Sequence, residues 1–216
     1  MIEEQTHKRG SFWRELPILL GVAVLVAVLV RAFVLQTFYI PSESMENTLQ
    51  INDRVLVNKL VYHFREPRRG EIIVFESPPS WRSDPTEKDW VKRVIGVGGD
   101  RIVCCDTSGP HKRLIVNGHP LDEPYLYSRP DGSMDEASSE EFDITVPEGR
   151  LWVMGDHRSD SGDSRAQYSV TRDVKASTIP VDSVIGRAFV VFWPVGRATV
   201  LSVPDTFAPV PDLAPR

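Results

Sequence analysis

Residues 16–40 read LPILLGVAVLVAVLVRAFVLQTFYI, and Arg31, Gln36 and Thr37 are the only clearly polar side chains among them. As a helix, these 25 residues extend about 37 Å, enough to cross a hydrocarbon core of ~30 Å with some tilt. Arg31 is costly at the bilayer centre, roughly 3 kcal/mol, but near one end of the span it can snorkel to the headgroups. The competing reading is a cleavable leader, with Lys8, Arg9 and Arg14 as its basic region and 16–30 as its apolar core. Hydrophobicity resumes after Ala32, which favours a retained anchor. The sequence therefore predicts a transmembrane helix over 16–39. Lys8, Arg9 and Arg14 precede it and the next cation after Arg31 is Arg54, so residues 1–15 are expected in the cytoplasm and the rest on the external face of the cell membrane.

Outward from that stretch, the 216 residues carry 25 Lys+Arg against 30 Asp+Glu, a formal charge of -5. An acidic chain of this kind lacks the basic stripe that phosphate neutralisation needs, so no nucleic-acid partner is expected. Hydrophobic residues at 41% and charged residues at 25% are globular values, and the length suits one domain plus an appendage. Cys104 and Cys105 are the only cysteines. They exclude a zinc ribbon or a multi-bridge scaffold and leave a vicinal disulfide or free thiols as the alternatives.

Beyond residue 40 the pattern is short β-type runs between turn residues. Residues 54–64 (RVLVNKLVYHF), 71–76 (EIIVFE) and 90–97 (WVKRVIGV) are rich in Val, Ile and aromatics, and 113–116, 151–154 and 184–195 supply further strands. Asn117-Gly118 favours a type I′ hairpin turn. No long helical stripe appears after the apolar segment. The expectation is a mainly β external domain over 40–203, with a polar surface loop at 128–141 and a Pro-rich tail at 204–216 that is extended or disordered.

Three segments carry candidate chemistry. In 40–45 (IPSESM), Ser42 and Ser44 flank one residue behind a rigid Ile-Pro. A serine nucleophile needs a base in reach, and composition alone favours a polar linker leaving the bilayer. There is no G-x-S-x-G elbow at Ser44 and no lysine with a serine three residues earlier. Strand alternation in 90–97 puts Trp90, Lys92 and Val94 on one face, so the Lys92 ammonium leaves an apolar surface. Lowering a lysine by about 3 pKa units, as a base near neutrality requires, takes roughly 4 kcal/mol of desolvation. In 155–165 (GDHRSDSGDSR) the Asp spacing suggests a calcium loop, but Arg158 and Ser161 stand where a ligand and a glycine belong. His63 and His157 remain as alternative bases for Ser44.

Together the segments are specific. IPSESMENTL at 40–49, INDRVLVNKL at 51–60, RGEIIVFESP at 69–78, DWVKRVIGVGGDRI at 89–102 and MGDHRSDSGDSR at 154–165 resemble, in order and spacing, the bacterial type I signal peptidases. These are membrane-anchored serine–lysine proteases. The resemblance implies a signal-peptidase-like β domain with Ser44 as nucleophile and Lys92 as general base. It implies an oxyanion hole from the Ser42 hydroxyl and the Ser44 amide, Ser161 orienting Lys92, and Asp163 and Arg165 as a structural ion pair. Ile40, Pro41 and Val91 are the expected walls of shallow pockets that admit small residues, commonly Ala-x-Ala. The implied partners are signal peptides of exported preproteins and the lipid bilayer, with no metal and no organic cofactor. Glu43 stands where the family often has Gly, and His157 where Asn is common. Two readings from other classes stay open: a Ser-His-Asp hydrolase, and a non-enzymatic single-pass protein that binds a surface partner.

Overall fold

The computed structural model describes residues 12–109 and 111–212. The expected cytoplasmic segment lies outside the described residues over 1–11, as do 213–216 of the tail and the side chains of Arg14 and Arg31. Helix α1 spans Phe12–Phe33 and exposes Leu16, Ile18, Leu19, Leu20 and the valines and leucines up to Val28. Over the described residues, no helix is long and apolar enough to cross a membrane.

The helix expected over 16–39 stops at Phe33, and strand β1 (Leu35–Tyr39) follows. The reason is a partner that hydropathy does not reveal. Strand β2 (Arg54–Asn58) pairs antiparallel with β1 along its whole length, Leu35 opposite Asn58 and Tyr39 opposite Arg54. Strand β2 is itself shorter than the 54–64 run. Asn58 Oδ1 accepts the amides of Leu60 and Val61 at 2.9 and 3.1 Å and starts a short helix, α2 (Val61–Phe64).

The chain then supplies β3 (Ile72–Glu76), β4 (Asp89–Val97), β5 (Arg101–Asp106), β6 (Arg113–Val116), β7 (His119–Pro120), β8 (Phe142–Thr145) and β9 (Arg150–Met154). Helix α3 (Ser164–Thr171) precedes β10 (Ile179–Pro180), β11 (Val184–Trp193) and β12 (Thr199–Val200). Two antiparallel sheets result, so the domain is mainly β. The larger runs β1-β2-β11-β3-β4-β9-β10 with β12 on β11, and the smaller runs β7-β6-β5-β8. Strand β3 reads as a continuous apolar run because it is central, with Ile72, Ile73, Val74 and Phe75 all buried. Asn117 and Gly118 take φ of 51° and 81° between β6 and β7, the two left-handed positions a type I′ turn requires.

Two polar segments are more buried than their composition suggests. In 128–141, Asp135, Ala137 and Ser138 are buried. Arg158 donates to the Ala137 carbonyl at 2.8 Å, and Asp135 receives Arg129 at 2.6 Å and the Ser159 amide at 2.8 Å. In the tail, Phe207 and Val210 enter the core beside Trp152 and Tyr125, and Arg69 bridges Asp100 (2.6 Å) and Asp212 (2.9 Å). Over the described residues the tail is thus docked through Phe207 and Val210, and it forms a 3-10 turn over Asp205–Phe207 instead of running extended. Cys104 and Cys105 are joined as a vicinal disulfide within β5.

Candidate active site

Ser44 sits in the tight turn after β1, where Glu46 N–H donates to the Glu43 carbonyl at 2.7 Å and Ile40 is tied to Asp53 at 2.9 Å. Met45 and Leu49, both buried, pin that turn to the core under the large sheet. Behind it, Arg93 makes a bidentate bond to Asp156 (2.8 and 2.6 Å), and Thr48 donates to the same carboxylate. The Ser44 turn is therefore braced by charge as well as by packing.

Lys92 reaches this turn from β4. The alternation that places Arg93 on one side of the sheet places Lys92 on the other, and Nζ donates to Ser44 Oγ at 2.6 Å. The side chain is only 4% exposed and lies 5.6 Å from the Trp90 ring. Burial lowers the Lys92 pKa from 10.5 to about 8, against the opposing pull of Asp163 and Asp156 and with some help from Arg165. At neutral pH roughly one Lys92 in ten is thus uncharged, and the Nζ–Oγ bond then runs in the other sense, hydroxyl to amine.

The 154–165 segment forms the floor. Asp163 caps α3 by accepting the Arg165 amide at 3.0 Å and pairs with the Arg165 guanidinium at 2.7 Å. Asp163 Oδ2, which takes that guanidinium, also accepts the Gly155 amide at 3.0 Å. Although burial works the other way, Arg165 and that amide hold the Asp163 carboxyl below its usual range. Gly155 has no room for a side chain, since a Cβ there would overlap Ser161 Oγ and the Ser44 carbonyl oxygen. Ser161 Oγ is buried and makes no hydrogen bond among the described residues. Ser42 Oγ lies 3.5 Å from Ser44 Oγ, and the Ser44 amide donates to no described group.

A cleft of about 630 Å³ opens over this pair. Ile40, Pro41 and Val91 all line it, together with Phe38, Trp90 and Met45. Neither His63 nor His157 hydrogen-bonds Ser44 Oγ. His63 Nδ1 bonds the Lys59 carbonyl on α2, and His157 Nδ1 faces the Glu43 carbonyl at 3.2 Å. Among the described residues, the base in contact with Ser44 Oγ is Lys92. Sequence reasoning passed over Gly155, Arg93 and Asp156. Arg93 carried a legible signal, since a charge next to Lys92 on the opposite face of one strand must find its own partner.

A serine hydroxyl in contact with a buried amine beside an open cleft is an arrangement of the kind a serine-type hydrolase needs. Residues 13–193 match the family model described as signal peptidase, peptidase S26. The chain is 40% identical to a probable signal peptidase I of Mycobacterium leprae, over 89% of its own length and 80% of that protein's. It is 39% identical to signal peptidase I of Mycobacterium tuberculosis (90% and 77%) and 36% identical to a probable signal peptidase I-2 of a Synechocystis strain (94% and 85%). The chain belongs to the signal peptidase family, as a serine endopeptidase of the type I class that cleaves signal peptides.

Proposed function

We propose that this protein removes signal peptides from exported preproteins after small residues, Ala-x-Ala, with Ser44 as nucleophile and Lys92 as general base. The observation that carries the reading is the 2.6 Å contact between Lys92 Nζ and Ser44 Oγ in a site that lowers the lysine pKa to about 8. Neutral Lys92 takes the Ser44 proton as Oγ attacks the peptide carbonyl. The Ser44 amide and the Ser42 hydroxyl stabilise the oxyanion, each such donor being worth about 10²–10³ in rate. Lysine returns the proton to the leaving amine, and water then releases the acyl group from Ser44. Asp163 and Arg165 hold the floor, and Ser161 orients Lys92. Ile40, Pro41 and Val91 select small side chains by leaving no depth for larger ones.

The same proposal includes a membrane anchor. Leu16, Ile18, Leu19, Leu20, Val22, Val24, Leu25, Val26 and Val28 of α1 are all exposed, an extent of hydrophobic surface that water disfavours. The described side chains of α1 do not by themselves make a span; its 22 residues rise about 33 Å against a hydrocarbon core of ~30 Å, and the anchor reading also counts the sequence over 29–33, whose side chains lie outside those described. Ser44 follows Phe33 by 11 residues (44 − 33), so the nucleophile stays near the bilayer surface on the external face. Exposed Tyr39, Trp193, Val195 and Val200 are apolar surface on the sheet end that β1, β2, β11 and β12 share, and they rest on lipid.

The test is a precursor with an Ala-x-Ala site and two variants carrying Phe at the first or third position before the scissile bond, each incubated with the protein in detergent. Cleavage at the site in the first and at least about a hundredfold loss in both variants is expected, since bulky side chains overfill a shallow pocket. Equal cleavage of all three would overturn the specificity.

A further inference from the structure

Glu43 and His157 lie together in space with Asp160. One donor atom from each of the three falls within 4.8 Å of the others. His157 is 7% exposed and stacks on Tyr127 with ring centroids 3.9 Å apart, so its ring is fixed. Nδ1 is 3.2 Å from the Glu43 carbonyl. A carbonyl only accepts, so Nδ1 is the donor in this contact, and Nε2 is the ring nitrogen left to a metal. Nε2 has no hydrogen-bond partner among the described residues. A second carboxylate, Glu46 Oε2, stands 3.6 Å from Nδ1. A backbone carbonyl and a carboxylate behind one ring nitrogen are the supports that hold the other nitrogen ready for a metal. The carboxylates of Glu43 and Asp160 are exposed, make no hydrogen bond or ion pair to another described residue, and both line the cleft over Ser44.

We propose that Glu43, His157 and Asp160 form a binding site for a divalent transition ion of the zinc class, and that its occupation inhibits peptide cleavage. One imidazole and two carboxylates suit zinc, while magnesium and calcium prefer oxygen alone. Bonds of about 2.0–2.1 Å in a tetrahedron place donors about 3.3 Å apart. The two free carboxylates need swing only about 1.5 Å to reach that spacing, and a water fills the fourth position. Glu43 lies between Ser42 and Ser44, so the ion ties the Ser44 turn to the 158–160 turn (Arg158–Asp160) and draws Glu43 and Asp160 together in the cleft. A substrate strand then has no path to Ser44. The inhibitory consequence rests on the reading of that cleft as the peptidase site; the binding itself does not.

The experiment is calorimetric titration of the full chain in detergent with zinc chloride, using wild type, Ser44→Ala, His157→Asn and Asp160→Asn, alongside precursor cleavage with and without zinc. His157→Asn keeps the backbone amide that bonds the Ser44 carbonyl, and Asp160 is exposed, so one of the two variants folds even if the other does not. Wild type and Ser44→Ala should take up one more zinc per chain than His157→Asn, with Asp160→Asn binding that zinc at least about tenfold more weakly. Zinc should slow wild-type cleavage, a chelator should restore it, and His157→Asn should be unaffected. Equal zinc uptake by wild type and both site variants overturns the proposal, as does specific binding that leaves cleavage unchanged. If wild type cleaves no precursor at all, the peptidase reading fails while the calorimetry still decides the metal site.

Discussion

Replacing Lys92 by Met should make the protein more stable as it makes it inactive. Lys92 is 4% exposed, and burial lowers its pKa from 10.5 to about 8. That interval corresponds to about 3 kcal/mol by which folding is opposed whenever the lysine is charged in the unfolded chain. The sign follows from the protons bound. Between pH 8 and 10.5 the unfolded chain holds the proton and the folded one does not, so stability rises with pH across that window. Below pH 8 the penalty is complete, and above 10.5 it is gone. Methionine has a similar volume and no charge, and its introduction removes one hydrogen bond to Ser44, worth about 1 kcal/mol. The net gain expected at pH 7 is about 2 kcal/mol, a rise in Tm of about 4–8 °C for a domain of this size. Denaturant titrations of wild type and Lys92→Met at pH 7 and pH 10 read it directly. A variant no more stable than wild type at pH 7, or a gain that does not shrink by pH 10, would refute the reasoning.

The remaining predictions use the same site. The kcat/KM for precursor cleavage should rise with pH through an ascending limb near 8, because only neutral Lys92 accepts the Ser44 proton; a limb near 6.5 would assign the base to a histidine. Asp163→Asn should shift that limb to lower pH, since Asp163 raises the Lys92 pKa, and should lower stability by about 3–5 kcal/mol by leaving Arg165 buried without its partner. Its pH–rate profile and denaturation curve are the two readouts. Gly155→Ala should cost about 1–3 kcal/mol of stability and displace the Ser44 carbonyl, with about a hundredfold loss of kcat in a cleavage assay.

The central strands were legible because burial on both faces writes itself as an unbroken apolar run, as in Ile72, Ile73, Val74 and Phe75. The boundary between α1 and β1 was not, because lipid and a sheet make the same demand for apolar side chains over 34–39, and only the pairing with β2 distinguishes them. The Pro-rich tail reads as extended or disordered because Phe207 and Val210 are isolated hydrophobes, whose burial depends on a core built by residues far upstream. At the site, Ser44 and Lys92 are 48 residues apart, and no local rule joins them. Five ordered motifs did so through resemblance, and strand alternation supplied the buried face of Lys92. Nothing local marked Gly155, whose requirement is the space taken by Ser161 and Ser44, nor the meeting of His157 with Glu43 across 114 positions.

The most direct measurement is one gel: wild type, Ser44→Ala and Lys92→Ala, each purified in detergent and incubated with a precursor bearing an Ala-x-Ala site. Cleavage at that site by wild type alone is the result predicted by a 2.6 Å serine–lysine pair. Undiminished cleavage by Lys92→Ala would contradict it and send the search for the base to the histidines.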